Sequence, residues 1–472
     1  MPCTLAVFPR ASPPPRASAA GSPVYRPRTP EASPLWQLVA HNAQAFLDVY
    51  DDRYAPRYGP LRAVVPRALE GFHRCGVLAW GFARVRCPAC RHEYLLAFSC
   101  KQRGLCPSCH AKRQVAFGEF VADEILEPVP HRHVVFSLPR RLRPFFRRRK
   151  RLPRLARLAY ETLRDLLQAA AGTRTAVPGA VACLQSAGNL LDWHPHVHLL
   201  VSWGLFCRDG SFLPVTGAPD PEMVARLFRH KVLRMLLAEG AIEEAVVRNL
   251  LAWPHTGFGT HVSRAIPAEE KTPGVVARYM VRPPITPERM LGEANQARII
   301  YRSDAIHPRH QANFRVFEPV DFLAEVSAHI PDPHEKTTIF YGWYSNRTRG
   351  YRKRHGLLGD APPIASPPER AAPASLAARR SWARLIRQVY EVDPLVCARC
   401  GGTMKIIALI ERPAVIRQIL DHLGLSNLGL STVTPGLRAP PDAPDGLAAA
   451  QPREWSYEPV LDDLPIPDPV MA

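Results

Sequence analysis

No hydrophobic run in the 472-residue sequence approaches the roughly 20 apolar residues that a membrane-crossing helix needs. The first 33 residues also lack the continuous apolar centre of a secretory signal. They are rich in Pro, Ala, Ser and Arg and read as a disordered tail. The expectation is a soluble, cytoplasmic protein with no membrane partner. Acidic residues are scarce relative to basic ones. The 42 Asp and Glu face 61 Lys and Arg, a formal charge of +19, which favours a polyanionic partner. Biased codon usage would also enrich Arg, and the 50 prolines and many alanines fit that reading. The clustering of the positive charge favours nucleic acid. Internal repeats are missing. Eleven cysteines, four of them in two tight CxxC pairs, suit metal-bound thiolates in a reducing compartment better than a disulfide framework.

The length allows two or three domains. Order is expected from Ser33-Pro34, an N-cap followed by Pro at the first helical position, with Leu35, Leu38, Val39, Asn42, Phe46 and Val49 at helical spacing. The chain divides into a tail (1–33), a helix and zinc-binding unit (34–120), a catalytic domain (121–356), a linker (357–380), a small C-terminal unit (381–425) and a Pro-rich tail (426–472). Val134–Leu138, Ala180–Gln185 and Val197–Trp203 read as strands, the last two forming a hairpin around Gly188-Asn189. Asp220 and Gly240 bracket a helix from Pro221 to Glu239. Further helices are expected at Gly274–Val281 and Asp321–His329, with strands at Ala297–Arg302 and Asn313–Phe317. The fold class is α+β: a helix and four-Cys module, an antiparallel-sheet core with flanking helices, and a small helical, half-ribbon unit at the C-terminus.

Cys87-Pro-Ala-Cys90 and Cys106-Pro-Ser-Cys109 stand fifteen residues apart, the spacing of a four-Cys zinc site. Two turns each present a pair of thiolates, and a strand over Tyr94–Phe98 brings the turns together. Four thiolates close the coordination sphere of Zn²⁺, so the site is structural. Cys100 can substitute as a ligand, and Cys75 is a further candidate. Cys397-Ala-Arg-Cys400 resembles half a zinc ribbon with no second pair after it.

The run Trp193-His194-Pro195-His196-Val197-His198-Leu199-Leu200 carries the most chemistry. Residues two apart on a strand share a face, so His196 and His198 project together while Val197, Leu199 and Val201 face the core. Imidazoles roughly 6 to 7 Å apart along a strand can converge on one divalent cation and leave positions open for catalysis. Gln185 on the preceding strand is the candidate third ligand. A pair of surface histidines on a hairpin is the alternative. His131-Arg132-His133 is a second pair, which either contacts DNA or supports the first.

Arg140–Arg157 holds ten Arg or Lys in eighteen residues, interleaved with Phe145 and Phe146, which could stack on unpaired bases. Arg140, Arg141, Arg143, Arg147, Arg148, Arg149, Lys150 and Arg151 are the nucleic-acid-binding candidates here. Lys101, Arg103, Lys112 and Arg113 surround the cysteine module and are candidates for phosphate contact, as is Arg278. Asn346–Arg354 forms a second basic strip. Either strip could equally be a solvated surface.

The ordered set "FSCKQRGLCPSCHAKR", "HVVFSLPRRLRP", "HPHVHLL", "ARYMVRPPI", "FEPVDFLAEVSAHIP", "YGWYSNRTRG" and "CGGTMKIIALIERP" resembles the rolling-circle transposases of the insertion-sequence-91 type from about residue 35 to 425. The resemblance implies a nuclease with a histidine–hydrophobic–histidine (HUH) motif at His196 and His198, Mg²⁺ or Mn²⁺ as catalytic metal, and a tyrosine nucleophile at Tyr279. It implies nicking and rejoining of single-stranded or hairpin DNA at element ends through a 5′-phosphotyrosine. Read from its residues alone, Tyr279 could equally anchor its helix in the core. Some members carry two tyrosines one turn apart, but here Pro283 stands four residues beyond Tyr279. A second covalent step then needs a second use of Tyr279 or a second subunit, so a homo-oligomer stays open. A zinc-dependent DNA-binding regulator without catalysis and a rolling-circle replication initiator are the competing readings.

Overall fold

The computed structural model describes residues 28–253, 257–267, 272–291, 297–307, 311–356 and 395–425. Helix α1 (Pro34–Asp48) begins after an extended Ser33 with Pro34 at its first position, where a missing N–H costs nothing. Leu35, Leu38, Val39 and Phe46 are buried as their spacing predicts. Val49 lies past the helix end and is exposed, and Tyr50 turns inward instead. Helix α2 (Val64–Arg74) packs Val65, Leu69 and Phe72 into the same core. The hairpin β1 (Phe82–Arg86) and β2 (Glu93–Ala97) follows, and then α3 (Pro107–Phe120).

The central sheet begins with β3 (His131–Ser137), which leads through short 3₁₀ turns into α4 (Leu152–Ala170). Strands β4 (Gly179–Ala187) and β5 (Trp193–Ser202) form the expected hairpin. A small ribbon, β6 (Gly204–Phe206) and β7 (Phe212–Pro214), precedes α5 (Pro221–Ala238). The Asp220 carboxylate accepts from the amides of Glu222 and Met223 at 3.0 and 3.3 Å, a cap that stabilises the helix by about 1 kcal/mol. Next come α6 (Glu244–Leu251), β8 (Gly259–Val262) and α7 (Thr272–Met280).

A second sheet joins β9 (Met290–Leu291), β10 (Ile299–His307) and β11 (Ala312–Phe317), and α8 (Pro319–His329) follows. Strand β12 (Thr338–Gly342) completes the central sheet in the order β12-β4-β5-β3-β8, antiparallel throughout. Helix α9 (Asn346–Arg354), strand β13 (Lys405–Ile410) and helix α10 (Pro413–His422) end the described chain. The expected linker and residues 381–394 lie outside the described residues. No helix among them is long and apolar enough to cross a membrane.

Strand alternation gives the central sheet two different faces. Val134, Phe136, Ala182, Val197, Leu199 and Val201 pack under α4 and α5. Val181, Cys183 and Leu200 meet Phe117, Ala277 and Met280 from α3 and α7 on the other face. Two expectations about organisation change. Met290, Ile299, Tyr301, Phe317 and Phe322 share one core with Leu35, Phe46 and Leu69, so residue 120 does not separate two cores. The C-terminal unit is not isolated either, because β13 pairs with β1 in the order β13-β1-β2.

Candidate active site and cysteine clusters

The histidine strand places its side chains as the period of two requires. Across β4 and β5, Gln185 pairs with His196 and Cys183 with His198, and directly opposed residues share a face. The His196 and His198 rings lie 5.0 Å apart, centroid to centroid, and both are buried. His196 Nδ1 lies 2.7 Å from the carbonyl oxygen of His194. A carbonyl only accepts, so Nδ1 carries the proton and Nε2 keeps its lone pair, the arrangement that presents a histidine to a metal. His198 Nδ1 lies 2.9 Å from His133 Nε2 with the rings stacked 8° from parallel. His198 Nε2 is buried without a hydrogen-bond partner among the described residues. An orphaned imidazole nitrogen in such a place needs an explanation, and a cation supplies one. Burial holds His196 and His133 down to about 4. Burial, reinforced by His196 and His133, takes His198 to about 2. All three are neutral near pH 7, as ligation requires.

Tyr279 stands over this pair. Helix α7 buries Ala277 and Met280 and leaves Tyr279 48% exposed, so it is not a core anchor. Its ring meets His198 edge-on at 5.9 Å and His133 at 6.4 Å. Arg282 donates to the Tyr279 hydroxyl at 3.1 Å and places its guanidinium 4.9 Å from the ring centre. Arg282 also donates to Gln185 Oε1 at 3.3 Å, while Gln185 Nε2 donates to the Met280 carbonyl at 2.6 Å. Gln185 therefore straps α7 to β4, and its oxygen is engaged by a cation here. Arg278 is half-buried, and Gly118 of α3 makes room for its stem, since any Cβ there would overlap Arg278.

The other tyrosines weighed from sequence have structural jobs. Tyr301 and Tyr344 are fully buried. Tyr344 pairs with His131 at 2.8 Å, and Tyr341 stacks on Tyr160. The pair His131-Arg132-His133 is thus divided: His131 is structural, His133 joins His198, and Arg132 donates to the Ser263 carbonyl at 2.7 Å.

The basic run is corrected in part. Phe146 is fully buried and Phe145 packs against the same core, so the pair does not form a base-stacking platform. Arg149 pairs with Glu335 at 2.5 Å and Arg151 with Glu239 at 2.6 Å. Arg143 lies 3.4 Å from Asp192, and Arg147 covers Tyr58. Arg140, Arg141, Arg148 and Lys150 are exposed. Around the cysteines, Lys101 is exposed, Lys112 is buried, and Arg103 donates to the carbonyls of Asp332 and Glu335. In the second strip Arg352 is buried against Glu127, whereas Arg347, Lys353 and Arg354 face solvent. Arg113, Asn189, Arg282 and Arg289 line a cavity that runs from Gln185 toward α3.

The cysteines regroup. Cys75, Cys100, Cys106 and Cys109 form one cluster, and Cys87, Cys90, Cys397 and Cys400 form another. The expected set of Cys87 and Cys90 with Cys106 and Cys109 is not formed. The β1–β2 turn points its thiols at the C-terminal unit, and the α3 start points its thiols at the α2 end. In the first cluster Cys75 lies 3.6 Å from Cys106 and 3.8 Å from Cys109, and Cys100 lies 3.7 Å from Cys109. Four thiolates on zinc at ~2.3 Å would stand about 3.8 Å apart. Backbone amides of Cys100 and Gln102 donate to Cys75 and Cys100 sulfurs, as suits thiolates.

A family described as "Transposase zinc-binding domain" matches residues 45–138, and one described as "Putative transposase" matches residues 179–352. The transposase for insertion sequence element IS801 of Pseudomonas savastanoi pv. phaseolicola is 29% identical over 411 residues, covering 83% of this chain and 92% of that protein. The chain belongs to the insertion-sequence-91-type transposases. "Putative transposase y4qJ" of Sinorhizobium fredii is 31% identical over 200 residues, 40% of this chain and 48% of that protein. No solved structure matches. The first cysteine cluster of the transposase lies wholly within its zinc-binding domain. His133 comes from the first matched region, and His196, His198 and Tyr279 from the second. The site is therefore assembled where the two meet. His133 was the residue underweighted in sequence, and its only signal there was the short His-X-His at the start of a strand.

Proposed function

We propose that this DNA transposase nicks and rejoins single-stranded or hairpin DNA at the ends of its element, with Tyr279 as nucleophile and a divalent cation, Mg²⁺ or Mn²⁺, held by His196 and His198. The carrying observation is half-exposed Tyr279, its ring 5.9 Å from that of buried His198, whose Nε2 has no hydrogen-bond partner among the described residues and which lies beside buried His196. The cation would polarise the scissile phosphate. Tyr279 Oη attacks phosphorus, the bond from phosphorus to the 3′-oxygen breaks, and a tyrosine–phosphate bond forms on the 5′ side. The phenol proton passes to solvent, and the departing 3′-oxygen takes one up. Attack by that 3′-hydroxyl, or another, on the phosphotyrosine reverses the exchange. One phosphodiester replaces another, so no ATP is consumed. Arg282, hydrogen-bonded to the Tyr279 hydroxyl, would place positive charge beside the linked phosphate.

A single tyrosine acts here, because helix α7 ends at Met280 and Pro283 occupies the next turn. Two covalent steps then require reuse of Tyr279 or a second subunit. The exposed Arg140, Arg141, Arg148 and Lys150 supply phosphate contacts outside the centre. The protein would act in the cytoplasm. The test is an end-derived single-stranded oligonucleotide with Mg²⁺ or Mn²⁺, followed by mass mapping of the protein–DNA adduct. The expected adduct sits on Tyr279 and vanishes in Tyr279→Phe. An undiminished adduct in that variant would refute the assignment, and no adduct with intact protein would favour the non-catalytic regulator.

A further inference from the structure

The C-terminal pair Cys397/Cys400 lies outside both matched regions. We propose that Cys87, Cys90, Cys397 and Cys400 bind a second structural zinc ion, which staples the C-terminal unit onto the N-terminal hairpin. The two pairs sit in turns of the same construction. Cys87 N–H donates to the His92 carbonyl at 2.8 Å, and Arg91 N–H donates to the Cys87 carbonyl at 3.0 Å. In the other turn Cys397 N–H donates to Gly402 at 2.8 Å, and Gly401 N–H donates to Cys397 at 2.9 Å. The residue after each second cysteine is left-handed, Arg91 at φ 60° and Gly401 at φ 70°. Arg91 accepts a conformation that glycine adopts without strain, and the same turn results. Each turn folds two thiols toward one point.

The turns face each other. Cys87 Sγ lies 3.5 Å from Cys400 Sγ, and Cys90 Sγ lies 3.5 Å from Cys397 Sγ. A disulfide would bring two sulfurs to about 2.05 Å, whereas a zinc tetrahedron keeps them about 3.8 Å apart. Both cross-pairs sit close to the second value, and the four sulfurs lie within 4.8 Å of one another. Strand pairing aligns the turns, with Val85 opposite Ile406 and Arg86 opposite Lys405.

The surroundings explain why a metal is needed. The local core is Val85, Met404 and two of the cysteines, with Tyr94, Leu96 and Ile406 at its margin. Phe82, Ile416 and Leu420 form another small group. The cysteines brought together are 307 and 313 residues apart. Closing so long a loop carries an entropic cost that this little apolar burial offsets poorly, and zinc–thiolate bonds supply the difference. Zinc occupancy therefore decides whether β13 covers the outer edge of β1.

The test uses the full-length protein purified under reducing conditions with zinc. Metal per chain is measured by mass spectrometry of the elements, and amide exchange by peptide mapping. The expected result is two zinc ions for the wild type and one for Cys397→Ser/Cys400→Ser. In that variant exchange should rise at least tenfold in Lys405–Ile410 and in Phe82–Arg86, while Trp193–Ser202 stays protected. Cys400→His, which keeps a zinc ligand, should retain the second ion. One zinc in the wild type, two in the double variant, or a Cys90–Cys397 disulfide in place of metal would each overturn the proposal. If the double variant also loses protection across Trp193–Ser202, the cysteines serve the whole fold and the staple is refuted.

Discussion

Arg282 donates to the Tyr279 hydroxyl from two residues past the end of the tyrosine's helix, and the same guanidinium reaches Gln185 on the histidine face of the sheet. One cation thus connects the nucleophile candidate to the strand beside His196 and His198. Its position sets positive charge where a phosphate next to the Tyr279 hydroxyl would lie.

Removing that cation should slow cleavage more than binding. Arg282→Ala is expected to lower single-turnover adduct formation about 100-fold, the usual effect of losing one preorganised charge-stabilising donor. Arg282→Lys should recover part of the rate. Equal rates for wild type and Arg282→Ala would remove this residue from the chemistry.

His133 should act through His198. His133→Ala is expected to raise the Mn²⁺ concentration needed for half-maximal cleavage about 10- to 100-fold, as for loss of a group that orients a metal ligand. The rate at saturating Mn²⁺ should change less. His198→Ala should abolish metal-dependent cleavage at any Mn²⁺ concentration. Metal titrations of the two variants side by side separate these effects.

Acid should destabilise the protein in part through buried histidines that the proposed chemistry does not use. Burial depresses His131 and His329 to about 4, below the ordinary value near 6.5. The unfolded chain then binds more protons between pH 6.5 and 4, so stability falls as pH falls through that window and is fully present above it. Denaturant midpoints measured from pH 7.5 to 4.5 should show this slope. His131→Gln/His329→Gln should make it shallower, the remaining slope coming from the other buried histidines, even if its midpoint at pH 7.5 is lower. An unchanged slope would place acid sensitivity elsewhere.

The basic run should split into two kinds of residue. Alanine at Arg140, Arg141, Arg148 or Lys150 is expected to weaken single-stranded DNA binding. Each such change should also reduce the slope of log affinity against log salt by about one for every phosphate it leaves without a cation. Arg149→Ala and Arg151→Ala should instead lower the melting temperature, because the first leaves largely buried Glu335 without Arg149 and the second leaves Glu239 with Arg154 alone. Phe146→Ala should cost about 3–5 kcal/mol of stability. Fluorescence anisotropy across a salt series and thermal melts distinguish the groups. A flat salt response for the wild type would contradict phosphate binding.

Local patterns carried much of the fold. The helices at Pro221 and Pro319, the β4–β5 hairpin and the inward Val197, Leu199 and Val201 follow from spacing, caps and turn residues, because those signals act over a few residues. Alternation alone set His196 and His198 on one face. The resemblance, not periodicity, singled out Tyr279. The basic run misled because charge density does not show which arginines meet a carboxylate from a distant part of the chain. Phe146 looked like a stacking residue for the same reason, since α4 and the sheet bury it.

The sequence by itself determined the antiparallel core, the histidine face, the CxxC pairs and the basic balance, all consequences of short-range pattern and composition. Only the tertiary structure decided which groups meet. His133 reached His198 through the β3–β5 register, and Arg282 reached Tyr279 by the turn after α7. The cysteine partners were exchanged most completely. Cys87 and Cys90 look toward Cys106 and Cys109 along the chain, but β1 pairs with β13 and carries them to Cys397 and Cys400. Spacing reports how a ligand pair is built. Strand pairing chooses the pair it faces.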